Sequence, residues 1–178
     1  MRILVAGIGN IFFGDDAFGC EVAKKLSRRS FPEGVTVADF GIRSYDLAYG
    51  MMDHDATILI DTAQRGAPPG TVYLIKPEIN ELDESGGDVV NAHSMNPMRV
   101  LQLVRSLGGT PRSVFVVGCE PQILEAEGQL GLSESVKSAI PAAIAMIEEL
   151  IASLRKTPTT GNNESQENLS NQSEVKVT

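Results

Sequence analysis

Five short runs rich in β-branched residues alternate with segments of helical periodicity, and this alternation is the main constraint on the fold. The runs are Arg2–Gly7, Val35–Phe40, Thr57–Asp61, Val72–Ile75 and Ser113–Gly118. Strands that alternate with helices are typical of α/β folds with a mostly parallel sheet. We therefore predict a three-layer α/β fold in which helices flank a twisted, mostly parallel sheet.

The segments between these runs predict four helices. After the first run, the apolar residues of AFGCEVAKKLSRR recur at i, i+3, i+4 and i+7, the spacing of one helix face. Two further helices are expected over Ser44–Met52 and Pro97–Leu107. The last helix is expected to start near Ser133, because serine is a common helix N-cap.

Composition divides the chain into one domain, residues 1–156, and a polar tail, residues 157–178. The tail has no aromatic residue and is mostly Ser, Thr, Asn, Gln and Glu. Such a segment buries too little apolar surface to offset the entropy lost on folding, so we expect it to be disordered. The whole chain has 15 basic and 23 acidic residues, a net charge of −8. This charge argues against nucleic-acid binding, which needs a basic surface.

The sequence also predicts a cytoplasmic protein that does not insert into a membrane. The apolar start MRILVAGIGN lacks the basic region and the small-residue cleavage site of a signal peptide. No apolar run approaches the length of about 18–20 residues that spans a bilayer. Cys20 and Cys119 are too few for a disulfide framework in a core of this size.

Polar side chains follow the predicted strands at their carboxyl ends, where ligands bind in open α/β sheets. Asp15 and Asp16 follow the first strand, Asp39 lies in the second, Asp61 ends the third, and Cys119 and Glu120 follow the fifth. A long segment then brings His93. Simpler structural roles remain open: an acid favours a helix start, and an aspartate at a strand end caps a turn.

The first glycine-rich turn does not fit a phosphate-binding role. Gly7 and Gly9 match half of the G-x-G-x-x-G fingerprint, but its third glycine falls on Phe12. A pyrophosphate would sit at the helix N-terminus, where Asp15 and Asp16 would repel it. The same acids suit a cation. Together, Asp16, Asp61 and His93 would offer two oxygens and one nitrogen to a divalent ion such as zinc or nickel.

Five ordered motifs resemble those of the hydrogenase maturation proteases: GIGNIFFGDDAFG, ILIDTA, NAHSMNP, VFVVGCEP and GLSESV. The resemblance covers residues 1–155 and implies a twisted sheet flanked by helices, of the phosphorylase/hydrolase-like kind. It implies an endopeptidase that removes the C-terminal extension of a nickel-iron hydrogenase large-subunit precursor after nickel insertion. It also implies that Asp16, Asp61 and His93 are both the metal-binding and the catalytic residues. Nickel would be recognised in the substrate, although other divalent ions would fit the same site.

The sequence departs from the family pattern at two places, one in the metal site and one in a turn that would contact the substrate. The first ligand is often glutamate in relatives, whereas Asp16 is one methylene shorter. A D-G-G type turn reads DFGIRS here, which keeps Asp39 and places Arg43 next to it. We take Asp39 and Arg43 as candidate substrate contacts, since arginine can pair with a substrate carboxylate. The expected partner is the precursor, and the expected oligomeric state is a monomer.

The resemblance leaves the chemistry open between an aspartic-type and a metal-dependent peptidase, and it does not say which carboxylate acts as base. Two other functions are compatible with the same residues. One is a general metal-dependent peptidase or amidase with no link to hydrogenases. The other is a non-catalytic nickel-binding maturation factor that uses the three residues only to hold the metal.

Overall fold

The computed structural model describes residues 1–77, 97–124, 130–156 and 176–177. The strands are β1 (Ile3–Ile8), β2 (Val35–Gly41), β3 (Ala56–Thr62), β4 (Val72–Ile75), β5 (Ser113–Cys119) and β6 (Lys176–Val177). The helices are α1 (Phe18–Leu26), α2 (Ser44–Met52), α3 (Pro97–Ser106) and α4 (Glu134–Lys156). A short 3-10 turn, Gly14–Ala17, precedes α1. The five predicted strands and four predicted helices are therefore confirmed.

The strands form one sheet in the order β2-β1-β3-β5-β4-β6. The pairs β1–β2, β1–β3 and β3–β5 are parallel, whereas β4 runs antiparallel to β5. The two residues of β6 pair antiparallel with the outer edge of β4. Because β1, β2, β3 and β5 all point the same way, their carboxyl ends meet along one edge, which we call the site edge.

Alternate residues of the central strands pack into two separate cores. Ile3, Val5, Ile58 and Ile60 pack in the core that also contains buried residues of α1 and α4. Leu4, Ala6, Ile8 and Leu59 pack in the core that contains buried residues of α2 and α3. The sheet is thus the middle of three layers, and the α/β prediction is confirmed. Burial on both faces explains the unbroken apolar runs, which are typical of parallel strands.

Close contact between α1 and the sheet depends on two glycines. A Cβ added at Gly19 would lie 2.1 Å from the Ile60 carbonyl oxygen and 2.2 Å from that of Ile8. One added at Gly7 would lie 2.3 Å from the carbonyl oxygen of Gly19. Only hydrogen fits in these gaps. The backbone of α1 therefore rests directly on β1 and β3, which fixes where the turn before α1 lies.

No helix in the described ranges is long and apolar enough to cross a membrane.

Candidate active site

Asp16 lies in the 3-10 turn between β1 and α1, at the site edge. Its Oδ2 accepts a hydrogen bond of 2.7 Å from the backbone N–H of Asn10, and the side chain is buried. Gly9, with φ of 132°, permits this approach, since a Cβ there would lie 1.8 Å from the Asp16 carbonyl oxygen. The glycine motif after β1 therefore brings the Gly9 backbone directly against Asp16.

Asp61 is the next-to-last residue of β3, and its carboxyl group is buried at the same edge. Its Oδ1 accepts a 2.7 Å hydrogen bond from the backbone N–H of Thr62. Burial raises the pKa of Asp61 well above its ordinary value, and the negative charge of Asp16 raises it further. The charge of Asp16 acts on Asp61 because both acids lie at the site edge.

The two carboxyl groups resist losing their protons because little water reaches them. Burial also raises the pKa of Asp16, although the hydrogen bond from Asn10 partly offsets the effect. Removing a carboxylate from water disfavours its charged form, and a second carboxylate nearby adds repulsion. A cation between Asp16 and Asp61 would reverse both effects. This donor set therefore fits a divalent metal ion that prefers oxygen or mixed oxygen and nitrogen ligands.

Cys20, in the first turn of α1, faces the same group of acids. Burial raises the pKa of its thiol, and so do a hydrogen bond with Asp39 and the charges of Asp39, Asp16 and Asp61. The thiol stays protonated, and its Sγ lies 3.5 Å from the Gly9 carbonyl oxygen. The exposed Asp39 side chain therefore lies near the Cys20 thiol, at the outer side of the site edge.

Asp39 and Arg43 belong to one tightly folded turn after β2. The Asp39 carboxylate accepts a 2.9 Å hydrogen bond from the Gly41 N–H. Arg43 donates from Nε to the Phe40 carbonyl oxygen at 3.0 Å, and its guanidinium also bonds to the Asp39 carbonyl oxygen. A weak ion pair of 3.7 Å joins it to Asp46. Arg43 thus holds its own turn in place, and the exposed guanidinium stays accessible from solvent.

Asp15 differs from Asp16 although the two are adjacent. Its fully buried carboxylate accepts four hydrogen bonds: from the backbone N–H groups of Gln122, Ile123 and Ser133, and from the Ser133 hydroxyl. The lengths lie between 2.7 and 2.9 Å. Asp15 therefore holds the turn that carries Asp16 against the segment after β5 and the start of α4. Both oxygens of the Asp15 carboxylate already accept hydrogen bonds.

Glu120, directly after β5, anchors a second loop beside the site. Its carboxylate accepts a 2.7 Å hydrogen bond from the Tyr73 hydroxyl and others from the N–H groups of Arg65 and Gly66. Burial alone would raise the pKa of Glu120, but these hydrogen bonds outweigh burial and lower it. The charged carboxylate is thus fixed in place, and it holds the loop that follows Asp61.

The sequence placed Asp15 and Glu120 at the site edge but did not reveal their structural roles. Their donors come from other loops: the partners of Asp15 are 107 to 118 residues away in the chain. The sequence signal was only their position, since each acid follows or adjoins a strand end. A buried acid in such a place needs partners, but the pattern does not say which ones.

His93, the third predicted ligand, lies outside the described residues. Within the ranges that are described, no three His, Cys, Asp or Glu side chains are grouped so as to hold a metal ion.

Cys119 is buried, and burial followed by the charges of Asp15 and Glu120 raises the pKa of its thiol to about 12. Cys119 is therefore a protonated core residue.

Comparison with known proteins gives a consistent result. The hydrogenase maturation protease family matches residues 20–150. The hydrogenase 2 maturation protease of Escherichia coli is 30% identical over 159 residues, which cover 88% of this chain and 93% of that protein. The solved structure of the hydrogenase maturating endopeptidase HybD from E. coli aligns with a TM-score of 0.69 at 29% identity, covering 88% of this chain and 93% of HybD. A hydrogenase 2 maturation peptidase from a Thaumarchaeota archaeon aligns with a TM-score of 0.65 at 32% identity, covering 85% and 99% of the two chains.

Proposed function

The chain belongs to the hydrogenase maturation protease family, and we propose that it cuts the C-terminal extension from a nickel-iron hydrogenase large-subunit precursor after nickel insertion. The observation that carries this proposal is the pair of buried carboxyl groups of Asp16 and Asp61 at the site edge. Their raised pKa values and mutual repulsion mark a place where a cation would be stabilised. We place the reaction in the cytoplasm and expect the enzyme to act as a monomer.

In this proposal the nickel belongs to the substrate. Asp16, Asp61 and His93 would contact the ion in the precursor and so bring the scissile peptide bond to the site edge. A precursor without nickel would bring no cation to the two carboxyl groups, and it would lose the binding energy that this contact would supply. Discrimination then follows from differential binding, because only the loaded precursor gains this interaction.

The chemical step is hydrolysis of one peptide bond. Water adds to the carbonyl carbon, the carbon–nitrogen bond breaks, and the proton taken from water is delivered to the leaving amine. A carboxyl group with a raised pKa suits both proton transfers, since its pKa lies closer to neutral pH. Either Asp16 or Asp61 would take this role. The metal would polarise the carbonyl group or acidify the attacking water.

Asp39 and Arg43 would contact the polypeptide around the cleavage site. Asp39 lies at the mouth of the site next to Cys20, and Arg43 presents its exposed guanidinium from the same turn. A substrate carboxylate would replace the weak contact of Arg43 with Asp46.

The test uses purified nickel-loaded precursor and follows its loss of mass. Wild type should shorten the precursor, whereas Asp16→Asn, Asp61→Asn and His93→Ala should each slow the reaction by about a hundredfold or more, because each removes a direct contact with the metal or a proton acceptor. Asp53→Asn is the matched control, since Asp53 is an exposed aspartate that ends α2. Full activity in the three site variants would refute the assignment.

The same assay separates the two other functions. Cleavage of generic peptides in the absence of any nickel protein would instead identify a general metal-dependent peptidase or amidase. Nickel binding by a protein that leaves every precursor intact would identify a non-catalytic maturation factor.

A further inference from the structure

Exposed apolar side chains are concentrated next to the candidate site. Seven large apolar residues are exposed in the described ranges: Met1, Ile11, Phe12, Ile42, Tyr45, Tyr49 and Leu130. Four of them, Ile11, Phe12, Ile42 and Tyr45, lie at or just beyond the loops that follow the carboxyl ends of β1 and β2. We call these four residues the apolar rim. Each is about half exposed or more, and Ile42 reaches 63%.

The two loops that carry the rim are joined and ordered by hydrogen bonds. Gly9 donates from its N–H to the Gly41 carbonyl oxygen at 3.1 Å, which links the start of one loop to the start of the other. The first loop is closed by the Phe13 N–H, which donates to the Asn10 carbonyl oxygen at 3.1 Å. Ile11 and Phe12 form the tip of this closed turn. The rim is therefore held in one arrangement before any partner binds, which lowers the entropic cost of docking.

Exposed apolar side chains on loops with an ordered backbone are typical of a surface that binds another molecule. The exposure of the four rim side chains contrasts with the full burial of Leu47 and Ala48, which lie in the same region on α2. Both cores of the described fold are filled by other apolar residues. The placement of the rim at the site edge thus points to binding and not to folding.

We propose that the apolar rim is the docking surface for the hydrogenase large-subunit precursor, which would contact it through apolar residues around its metal. This inference rests on the proposed function and adds where the precursor binds. Charge complementarity selects this occupant: the rim borders Asp16, Asp39 and Asp61, so the matching surface is apolar with a cation near its centre. A second copy of this chain would present the same side chains and would bring no metal ion to the carboxyl groups of Asp16 and Asp61, so it complements this edge less well.

The rim contributes binding energy that is the same before and during the chemical step, because its residues lie beside the reacting bond and not on it. Loss of such uniform binding raises KM and leaves kcat nearly unchanged. Exposed aromatic residues are the usual anchors of protein interfaces. Phe12 and Tyr45, which lie on different segments, are therefore the two residues to change.

The test compares two tyrosines on one helix. Tyr45 and Tyr49 are similarly exposed, at 61% and 55%, but Tyr49 lies one helical turn farther from the site edge. Binding of nickel-loaded precursor and the rate of its processing are measured for wild type, Phe12→Ser, Tyr45→Ser and the control Tyr49→Ser. We expect Phe12→Ser and Tyr45→Ser each to weaken binding and to raise KM by about tenfold, with kcat within about twofold of wild type.

The control Tyr49→Ser should match wild type within about twofold, and thermal unfolding should show that all four proteins are folded. Unchanged binding and KM in Phe12→Ser and Tyr45→Ser would overturn the rim proposal even if wild type processes the precursor. A wild type that binds the precursor without cutting it would instead overturn the proposed function, and the binding data alone would then decide the role of the rim. Self-association of wild type that is lost in both rim variants, with precursor binding unchanged, would assign the rim to a second copy and refute the proposal.

Discussion

Asp15 and Asp16 are adjacent in the chain, but their carboxylates lie in different surroundings. Asp15 is saturated by four hydrogen bonds, whereas one Asp16 oxygen accepts a hydrogen bond from Asn10. The sequence alone could not separate them, because both acids follow β1 and both favour the start of a helix. The distinction comes from loops that are more than a hundred residues away in the chain, at Gln122, Ile123 and Ser133.

Asp15→Asn tests the structural role of that residue. The amide offers one acceptor oxygen where four donors converge, and its NH₂ group faces other N–H donors. We expect the free energy of unfolding to fall by about 2–4 kcal/mol, since buried donors lose a charged partner. Denaturant titration measures this change, with Asp53→Asn on the exposed end of α2 as the control. A loss in Asp15→Asn no larger than that of the control would contradict the assignment.

Asp61 predicts a dependence of stability on pH. Its pKa is raised in the folded protein above the ordinary value of 3.8, because burial and the charge of Asp16 disfavour ionisation. The folded state therefore binds the proton more tightly than the unfolded state does. The resulting stabilisation is complete below the unfolded pKa and is lost as pH rises through the folded pKa.

Thermal unfolding of metal-free wild type and Asp61→Asn, from about pH 4 to about pH 8, isolates this contribution. The amide introduced by the substitution does not ionise, so the variant should gain stability relative to wild type as pH rises. The pKa of Glu120 is lowered, so Glu120 stabilises the fold at higher pH. This contribution is the same in both proteins, and it cancels when the stability of the variant is compared with that of wild type. A stability difference that does not change with pH would show that Asp61 is not the buried acid described above.

At the scale of secondary structure, the site depends on the contact of α1 with the sheet. Gly19→Ala would place a methyl group 2.1 Å from the Ile60 carbonyl oxygen, so α1 would have to move away from β1 and β3. We expect a loss of about 3 kcal/mol or more in the free energy of unfolding, because a methyl group cannot share space with backbone. Displacement of α1 would also shift the turn that carries Asp16, so activity should fall in any folded fraction.

Gly108→Ala is the matched control for this substitution. An added Cβ at Gly108 meets nothing within 4 Å, although its φ of 81° disfavours a side chain. The variant should therefore lose only about 1–2 kcal/mol, the cost of the left-handed backbone. Equal losses in Gly19→Ala and Gly108→Ala, measured by denaturant titration, would refute a special contact at Gly19.

The elements themselves were largely predictable, whereas the order of the strands was not. Parallel strands buried on both faces appear as continuous apolar runs, so β1 and β3 stand out in the sequence. The position of β4 depends on β5, which enters the sheet between β3 and β4 although it comes later in the chain. Nothing in the run Val72–Ile75 reveals that it pairs antiparallel with Val116–Cys119. Long-range pairing is set by the whole sheet and not by a local pattern.

At the scale of the whole molecule, some of the acidic residues that give the chain its negative charge lie together at the site edge. The net charge of −8 argued against a basic nucleic-acid surface, but only the fold shows that Asp16, Asp39 and Asp61 lie at the site edge. The apolar rim borders the same edge, so cation recognition and partner docking would occupy one side of the molecule. Most of the predicted tail, residues 157–178, lies outside the described residues, apart from the two residues of β6 that pair with β4.

Intact mass of the large-subunit precursor, measured with and without nickel after incubation with wild-type protein, tests the proposed function most directly. In the proposed function, the carboxyl groups of Asp16 and Asp61 would gain binding energy from the cation, so discrimination between the two precursors should come from the metal. We predict that the nickel-loaded precursor loses its C-terminal extension while the nickel-free precursor keeps its full mass under the same conditions. Equal shortening of the two precursors would contradict metal recognition by this site.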